Sequence, residues 1–155
     1  MGVSFAHLVG TVINPPQIAR ILGGPRTLKR TVSSIEDLRE VVEAGLPVAS
    51  LRRVVRRVAG VGVDESELTH RLVPRTTLQR RKGKLSPRES EHVERLARMT
   101  ALAEHVWEDA DLAHEFLTSP QPQLGGRRPV ELASSDLGTR QVESLLMKLE
   151  YSLPV

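Results

Sequence analysis

The chain has 155 residues and a mass of 17.2 kDa, enough for one or two small globular domains. Its hydrophobic content of 39% is ordinary for a folded protein, but only 3% of the residues are aromatic, so the core must be built from leucine, valine and alanine. No cysteine occurs, which excludes a disulfide framework, a thiolate metal site such as a zinc finger, and a cysteine nucleophile.

The net charge of +3 conceals a strong asymmetry along the chain. Residues 1–84 carry 15 basic and 7 acidic side chains, whereas residues 85–155 carry 7 basic and 12 acidic ones. The basic half favours a polyanionic partner and the acidic half a different one. The apolar stretch 5–13 has no charged n-region and is too short to cross a bilayer, so we expect a soluble, cytoplasmic protein without a membrane partner.

The first 33 residues predict one short helix and otherwise show no clear period. Pro15 and Pro16 stand at its start, and the run Gly23-Gly24-Pro25 ends it. This segment is an ordered arm, a dimerisation element or a frayed tail, and the sequence does not choose among the three.

Two amphipathic helices are predicted next. Ser33 or Ser34 is placed to cap a helix over residues 35–44, with acidic residues in its first turn and Gly45 just past its end. Pro47 then opens a second helix, which Gly60 and Gly62 end. The apolar face of this second helix consists of Val48, Leu51, Val55 and Val58.

The opposite face of the second helix carries four arginines, which we call the arginine stripe: Arg52, Arg53, Arg56 and Arg57. The stripe contains two like-charged pairs at i, i+4 spacing, and each pair costs about 0.2 to 0.5 kcal/mol in an isolated helix. Two interpretations are open. Either acids such as Glu36, Glu40 or Glu43 neutralise a solvated face, or the stripe faces phosphates or an acidic partner.

A helix-turn-helix is predicted over residues 64–82. Asp64 is placed to cap a helix over residues 65–72, and a second helix over 75–82 follows after a tight turn. The second helix has one apolar anchor, Leu78, and otherwise carries side chains that read base edges or bind phosphate. The candidates for DNA contact are Arg75, Thr76, Thr77, Gln79, Arg80 and Lys82. The alternative is a plain helical hairpin with a basic solvent face.

The clearest helix start is the capping box formed by Ser86 and Glu89, with proline at the first helical position. This helix should run to about Trp107, and its broad apolar face places it in the middle of a bundle. Asp109 is placed to cap a shorter helix, which stops at a proline-containing loop over 119–122. A single helical turn at 129–132 and a last helix from Ser135 or Asp136 to Tyr151 follow. No strand pattern is found, so we predict an all-α protein.

Catalytic and metal-binding motifs are missing from the sequence. None of the five histidines has a partner at metal-ligand spacing, and no Walker A loop or nucleophile elbow occurs. Helix capping and dipole compensation account for the carboxylate pairs around Asp109. We therefore predict no enzymatic activity, no cofactor and no metal.

Several of these motifs together resemble a known family. Residues 85–90 lead into a long helix that reaches Trp107, a loop of the form L-G-G-R-x-P-x-E-L follows over 124–132, and an amphipathic helix closes the chain. This arrangement resembles the Xre/MbcA/ParS toxin-binding domain of bacterial antitoxins, over residues 85–155. Upstream, residues 77–81 resemble the end of the Xre-type helix-turn-helix, and residues 45–47 resemble the usual start of that domain.

The resemblance implies a fold and a domain organisation. We expect an N-terminal Xre-like helix-turn-helix bundle followed by a small helical toxin-binding domain. The expected divisions are an N-terminal arm over 1–33, a DNA-binding and dimerisation domain over 34–84, and a toxin-binding domain over 85–155.

The resemblance also implies a function, that of the antitoxin in a type II toxin-antitoxin system. Its partner would be a RES-domain toxin, which is the enzyme and degrades NAD. The antitoxin blocks the active-site cleft of this toxin, forms a homodimer within a hetero-oligomeric complex, and binds and represses the promoter DNA of its own operon. Carried over by position, the candidates for toxin contact are Leu124, Gly125, Gly126, Arg127, Arg128, Pro129, Glu150, Tyr151, Ser152, Leu153, Pro154 and Val155.

Charge and shape agree with that implied role. A cleft that accepts NAD is expected to be basic, so an acidic C-terminal half would speed and orient association. The tail over 151–155 is short enough to enter a cleft, with Tyr151 as an aromatic anchor and Pro154 limiting the entropy lost; the alternative is a frayed terminus.

Two other functions stay open: a stand-alone helix-turn-helix transcriptional regulator whose C-terminal domain only dimerises, and an antitoxin that keeps residues 35–84 as a dimerisation module without DNA binding.

Overall fold

The computed structural model describes residues 14–60 and 64–151. Its helices are α1 (Pro15–Ile21), α2 (Gly24–Leu28), α3 (Ile35–Glu43), α4 (Val48–Ala59), α5 (Glu65–Leu72), α6 (Arg75–Arg80), α7 (Pro87–Trp107), α8 (Ala110–Thr118), α9 (Pro129–Leu132) and α10 (Asp136–Glu150), with a 3-10 turn at Pro122–Leu124. Within these two ranges the chain forms no strand, which confirms the predicted all-α class.

Helix starts follow the capping residues that the sequence supplies. The Ser34 hydroxyl accepts the Asp37 backbone N–H, and the Asp37 carboxylate accepts the Ser34 N–H in return, so α3 begins in a full capping box. Ser86 and Glu89 form the second box at the start of α7. Side chains at the N-cap position also cap four further helices: Asn14 for α1, Asp64 for α5, Asp109 for α8 and Ser135 for α10.

The 21-residue helix α7 lies at the centre of the fold. It packs against α1, α3, α4 and α5 from the N-terminal half, and against α8 and α10 from the C-terminal half. Val93, Leu96, Met99 and Leu102 are fully buried on this helix, as its broad apolar face predicted. One continuous hydrophobic core therefore joins the two halves of the described chain.

Residues 14–33 form an ordered arm, one of the three alternatives left open. Ile18, Leu22 and Leu28 are buried in the core, and the Ser50 hydroxyl of α4 donates to the Leu22 carbonyl oxygen at 2.7 Å. Helix α2 was not predicted, because glycine followed by proline is typical of a helix end. A proline in the first turn of a new helix removes no helical hydrogen bond, so α2 begins there. The rest of the predicted arm, residues 1–13, lies outside the described residues.

A short two-stranded contact links the start of α4 to the segment that follows α6. The Val48 N–H donates to the Gly83 carbonyl oxygen at 2.9 Å, and the Leu85 N–H donates to the Leu46 carbonyl oxygen at 2.8 Å. These bonds form around an antiparallel bridge between Pro47 and Lys84. The segment after α6 is thereby fixed beside the first turn of α4.

Candidate functional site

Helices α5 and α6 form the predicted helix-turn-helix. Leu68, Leu72 and Val73 are buried and anchor the pair to the core, while the two residues that follow Val73 are exposed. The Val73 N–H donates to the Thr69 carbonyl oxygen at 2.9 Å, which closes α5 before the turn. The connection is therefore short and rigid, as a helix-turn-helix requires.

Helix α6 ends at Arg80, and the prediction that it extends to Lys82 is wrong. Arg81 has an extended backbone, and its side chain turns away to form a bidentate ion pair with Glu89, with Nε–Oε1 at 2.9 Å and Nη2–Oε2 at 2.6 Å. This hydrogen bond from Arg81 lowers the pKa of Glu89. Six helical residues still span roughly 9 Å, enough for one pass along a major groove.

The candidates for DNA contact lie mostly on one exposed surface. The exposed or partly exposed members are Arg75, Thr76, Gln79 and Arg80 on α6, and Lys82 just beyond it. Thr77 is half-buried beside Leu78, which packs against the core. Within the described ranges, Arg75, Arg80 and Lys82 form no ion pair, so their charges are available to meet phosphates.

The loop between α8 and α9, which we call the glycine loop (residues 121–128), is a tight turn. The Gln121 N–H donates to the Arg127 carbonyl oxygen at 3.1 Å, and the Gly126 N–H donates to the Gln121 carbonyl oxygen at 2.9 Å. Gly125 and Gly126 have φ of 68° and 77°, a left-handed conformation that strains other residues. No described atom lies within 4 Å of a Cβ built on either glycine, so the tip is open to an approaching partner.

The residues of the loop motif divide into supporting and exposed members. Leu124 and Pro129 are buried and hold the loop on the core from inside. Arg127 is exposed and forms no salt bridge with a described carboxylate. Of the predicted contact residues in this loop, Gly125, Gly126 and Arg127 are therefore the ones presented to solvent.

Arg128 belongs to an ion-pair cluster that joins the glycine loop to α5, and we call this cluster the arginine-glutamate ring (Glu67, Arg71, Arg128 and Glu131). Arg128 Nε lies 2.9 Å from Glu131 Oε1, and its Nη2 lies 3.2 Å from Glu67 Oε1. The same Glu67 oxygen accepts a bond from Arg71 at 3.2 Å. The hydrogen bond from Arg128 lowers the pKa of Glu131, which favours the charged form of this carboxylate and strengthens the cluster.

The C-terminal candidates lie at the end of α10. Glu150 faces His105, with Oε1 3.5 Å from the imidazole Nε2, and Tyr151 is 43% exposed. The remaining candidates, Ser152, Leu153, Pro154 and Val155, lie outside the described residues.

An open groove runs between the glycine loop and α10. Its lining includes Gln123, Leu137, Arg140, Ser144 and Lys148. The groove was not predicted from the sequence, although Leu137, which is 73% exposed, falls off the apolar stripe of its helix. An exposed leucine at that position is the one local signal that could have indicated a surface there.

The arginine stripe does not pair with the acids suggested for it. Arg57 forms a bidentate ion pair with Glu104 of α7, with both N–O distances at 2.8 Å. The three suggested acids, Glu36, Glu40 and Glu43, instead face arginines 30 and 39. Because the two halves share one core, the carboxylate that Arg57 meets comes from a helix 47 residues away in the chain, which periodicity cannot reveal.

Two further kinds of site are absent from the described part of the chain. Across residues 14–60 and 64–151, no three histidine, aspartate or glutamate side chains are grouped to hold a metal ion. No helix in the same ranges has the length and apolar character to span a bilayer.

The fold and its two exposed surfaces define a class of protein, a helix-turn-helix protein with a C-terminal partner-binding domain. Residues 37–98 match the Antitoxin Xre-like helix-turn-helix domain, and residues 102–151 match the Antitoxin Xre/MbcA/ParS C-terminal toxin-binding domain. The chain belongs to this family of Xre/MbcA/ParS-like antitoxins. Both matched domains are binding domains of regulatory, non-enzymatic proteins.

A curated relative agrees with this assignment. The chain is 32% identical over 81 residues to the Antitoxin Xre of Pseudomonas putida, strain KT2440. The aligned region covers 50% of this chain and 51% of that protein, so the chain spans about half the length of the curated relative it matches.

Proposed function

We propose that this chain is an antitoxin that binds and neutralises a RES-domain, NAD-degrading toxin by covering its active-site cleft. The observation that carries the proposal is the rigid presentation of the glycine loop inside the matched toxin-binding domain. Gly125, Gly126 and Arg127 form an exposed tip, while Leu124 and the arginine-glutamate ring fix its base. A preorganised loop loses little entropy when it docks.

The C-terminal segment forms the second part of the proposed toxin contact. Tyr151 directly follows α10, one wall of the groove, and residues 152–155 continue from it. An exposed aromatic side chain just past the end of a helix suits insertion into a cleft, where Tyr151 acts as the anchor. The acidic balance of residues 85–155 favours a basic NAD cleft as the docking surface.

Promoter binding is the second part of the proposed function. A homodimer of the chain binds its own promoter with two copies of α6 in successive major grooves, about 34 Å apart, and represses the operon. The exposed Arg75, Gln79 and Arg80 support this role, since their side chains are available to reach bases and phosphates. A palindromic operator follows from the two-fold symmetry.

The test of toxin neutralisation is a co-expression assay with a RES-domain, NAD-degrading toxin, read out as cell growth and intracellular NAD. Wild-type chain should restore both, and Arg127→Glu should not, because the substitution removes the guanidinium donors that the exposed tip is proposed to present to the toxin. Arg88→Glu at the start of α7 is the matched control, an exposed arginine that forms no ion pair with a described carboxylate and lies outside the groove. If Arg127→Glu binds the toxin as tightly as wild type does, the glycine loop is not the contact.

The rival function, a stand-alone regulator whose C-terminal domain only dimerises, makes a different prediction. It requires no toxin in the cell, and deletion of residues 152–155 should then change neither growth nor DNA binding. For the proposed antitoxin, the same deletion should weaken neutralisation and leave DNA binding intact. Native mass spectrometry of the tagged chain from its own host distinguishes the two through the presence of an NAD-degrading companion.

A further inference from the structure

Three members of the arginine stripe have no carboxylate partner within the described chain. Arg52, Arg53 and Arg56 are exposed on α4, and none forms an ion pair with an acidic side chain of residues 14–60 or 64–151. Arg57 on the same helix is neutralised by Glu104. The stripe therefore concentrates three positive charges on one exposed helix face that contributes nothing to the core.

The stripe begins close to the segment that follows the candidate recognition helix α6. The Val48 N–H, at the first residue of α4, bonds to the Gly83 carbonyl oxygen, and the Pro47–Lys84 bridge holds the two segments together. Lys82 and Lys84 are exposed at this junction. Arg52 follows one helical turn beyond Val48, so the two exposed lysines that follow α6 lie at the end of α4 from which the stripe begins.

The chemistry of the stripe suits phosphate. A guanidinium group is always charged and presents a planar fork that matches a phosphate group with two parallel hydrogen bonds. Proteins that read bases with one helix commonly fix its register with basic side chains on neighbouring elements, which bind the sugar-phosphate backbone. The contact between the start of α4 and the lysine-containing segment after α6 favours nucleic acid over an acidic protein as the ligand.

We propose that Arg52, Arg53 and Arg56 form a second DNA contact, which binds the phosphodiester backbone beside the site read by α6. This inference rests on the proposed DNA-binding function. The contact is independent of sequence, so it strengthens binding to any duplex and leaves the choice of operator to α6. The closely spaced arginines are then a binding feature, since the DNA phosphates neutralise their mutual repulsion.

The experiment measures how salt changes DNA affinity. The full chain is titrated by fluorescence anisotropy onto two labelled duplexes, the sequence upstream of its own gene and a scrambled duplex of equal length, between about 50 and 200 mM KCl. The test variant is Arg52→Ala with Arg56→Ala. The first control is Arg39→Ala with Arg140→Ala, which removes the same net charge from exposed arginines paired within their own helices. The second control, Arg52→Lys with Arg56→Lys, keeps the charge of the stripe.

The test variant loses two phosphate contacts in each protomer, and therefore four in the proposed homodimer. The slope of log K against log salt should fall by about 3.6, because each contact contributes about 0.9. Over this salt range the affinity advantage of wild type over the test variant should shrink about 150-fold, and equally on both duplexes. Both controls should keep the wild-type slope. Circular dichroism should show all variants folded, since the substituted side chains are exposed.

Each result has one consequence. If the wild-type chain binds neither duplex at any salt, the proposed promoter binding fails, and the second contact fails with it. If wild type binds and the test variant keeps the wild-type slope, promoter binding stands and the second contact is overturned. An unchanged slope combined with weaker toxin binding would assign the stripe to an acidic protein surface and would equally overturn the proposal.

Discussion

Glu67 of α5 and Arg128 of the glycine loop, 61 residues apart in the chain, are joined by an ion pair of 3.2 Å between Oε1 and Nη2. The bond connects the first helix of the helix-turn-helix to the loop proposed to contact the toxin. Glu131 and Arg71 complete the ring on either side. The base of the loop is thus held against the helix-turn-helix by charge-assisted hydrogen bonds in addition to the shared core.

Loss of the Arg128 side chain should destabilise the protein more than loss of the Arg127 side chain. We expect Arg128→Ala to lower the free energy of unfolding by about 1 kcal/mol, because it removes two ion pairs that are only partly exposed. Arg127→Ala is the matched control and should change it by less than about 0.5 kcal/mol. Urea denaturation measures both.

A double-mutant cycle tests whether the link itself is responsible. Glu67→Gln should lower the free energy of unfolding less in the Arg128→Ala background than in wild type, because the partner of Glu67 is already absent. Equal costs in the two backgrounds would show that Glu67 and Arg128 do not interact in solution.

Ser90 should be required for the junction at the start of α4. Its buried hydroxyl oxygen accepts the Leu46 backbone N–H at 2.8 Å, and both residues are shielded from water. Ser90→Ala leaves this N–H unpaired and should cost about 1 to 3 kcal/mol of unfolding free energy. Ser66→Ala, at an exposed position of α5, should cost less than about 0.5 kcal/mol by the same measurement. Similar losses for the two serines would contradict the bond.

Gly45 and Gly83 offer a matched pair for the same junction. Both have left-handed backbones, with φ of 94° and 90°. A Cβ on Gly45 would lie 2.6 Å from the Leu85 carbonyl oxygen, whereas a Cβ on Gly83 would meet no described atom within 4 Å. Gly83→Ala should therefore cost about 1 kcal/mol from backbone strain alone. Gly45→Ala should lower the free energy of unfolding clearly more, because its Cβ would also meet the Leu85 carbonyl oxygen. Thermal unfolding measures both variants, and equal midpoints would contradict the close approach of Gly45 to Leu85.

His92 on α7 should make stability depend on pH. Burial, aided by the positive charge of Arg95, lowers the pKa of His92 from 6.5 to about 4. Between about pH 6.5 and 4, the unfolded chain therefore binds a proton at His92 that the folded chain does not bind. The contribution of neutral His92 to stability is complete above pH 6.5 and is lost as pH falls towards 4. His92→Gln should remove this component. Thermal unfolding from about pH 7 to about pH 4 measures the difference, and parallel curves for wild type and variant would contradict the shift.

The helices and their starts were predictable because their signals are local. Each signal depends on residues within a few positions of each other: the capping box at Ser86 and Glu89, the cap at Asp109 and the apolar face of α7. The structure has all three at the predicted positions. The resemblance that led to the antitoxin family also rests on local strings, and the family matches confirm it. The end of α6 was misplaced by two residues, because Arg81 leaves the helix to meet Glu89.

Sequence by itself determined the all-α class, the helix-turn-helix, the charge asymmetry and the family. Only the tertiary structure decided which charges meet. Arg57 forms an ion pair with Glu104, and Arg128 with Glu67, across 47 and 61 residues of the chain. Helical periodicity in the sequence does not predict contacts at such separations. Side chains far apart in the chain become neighbours only when a shared core, here built around α7, fixes the helices against one another.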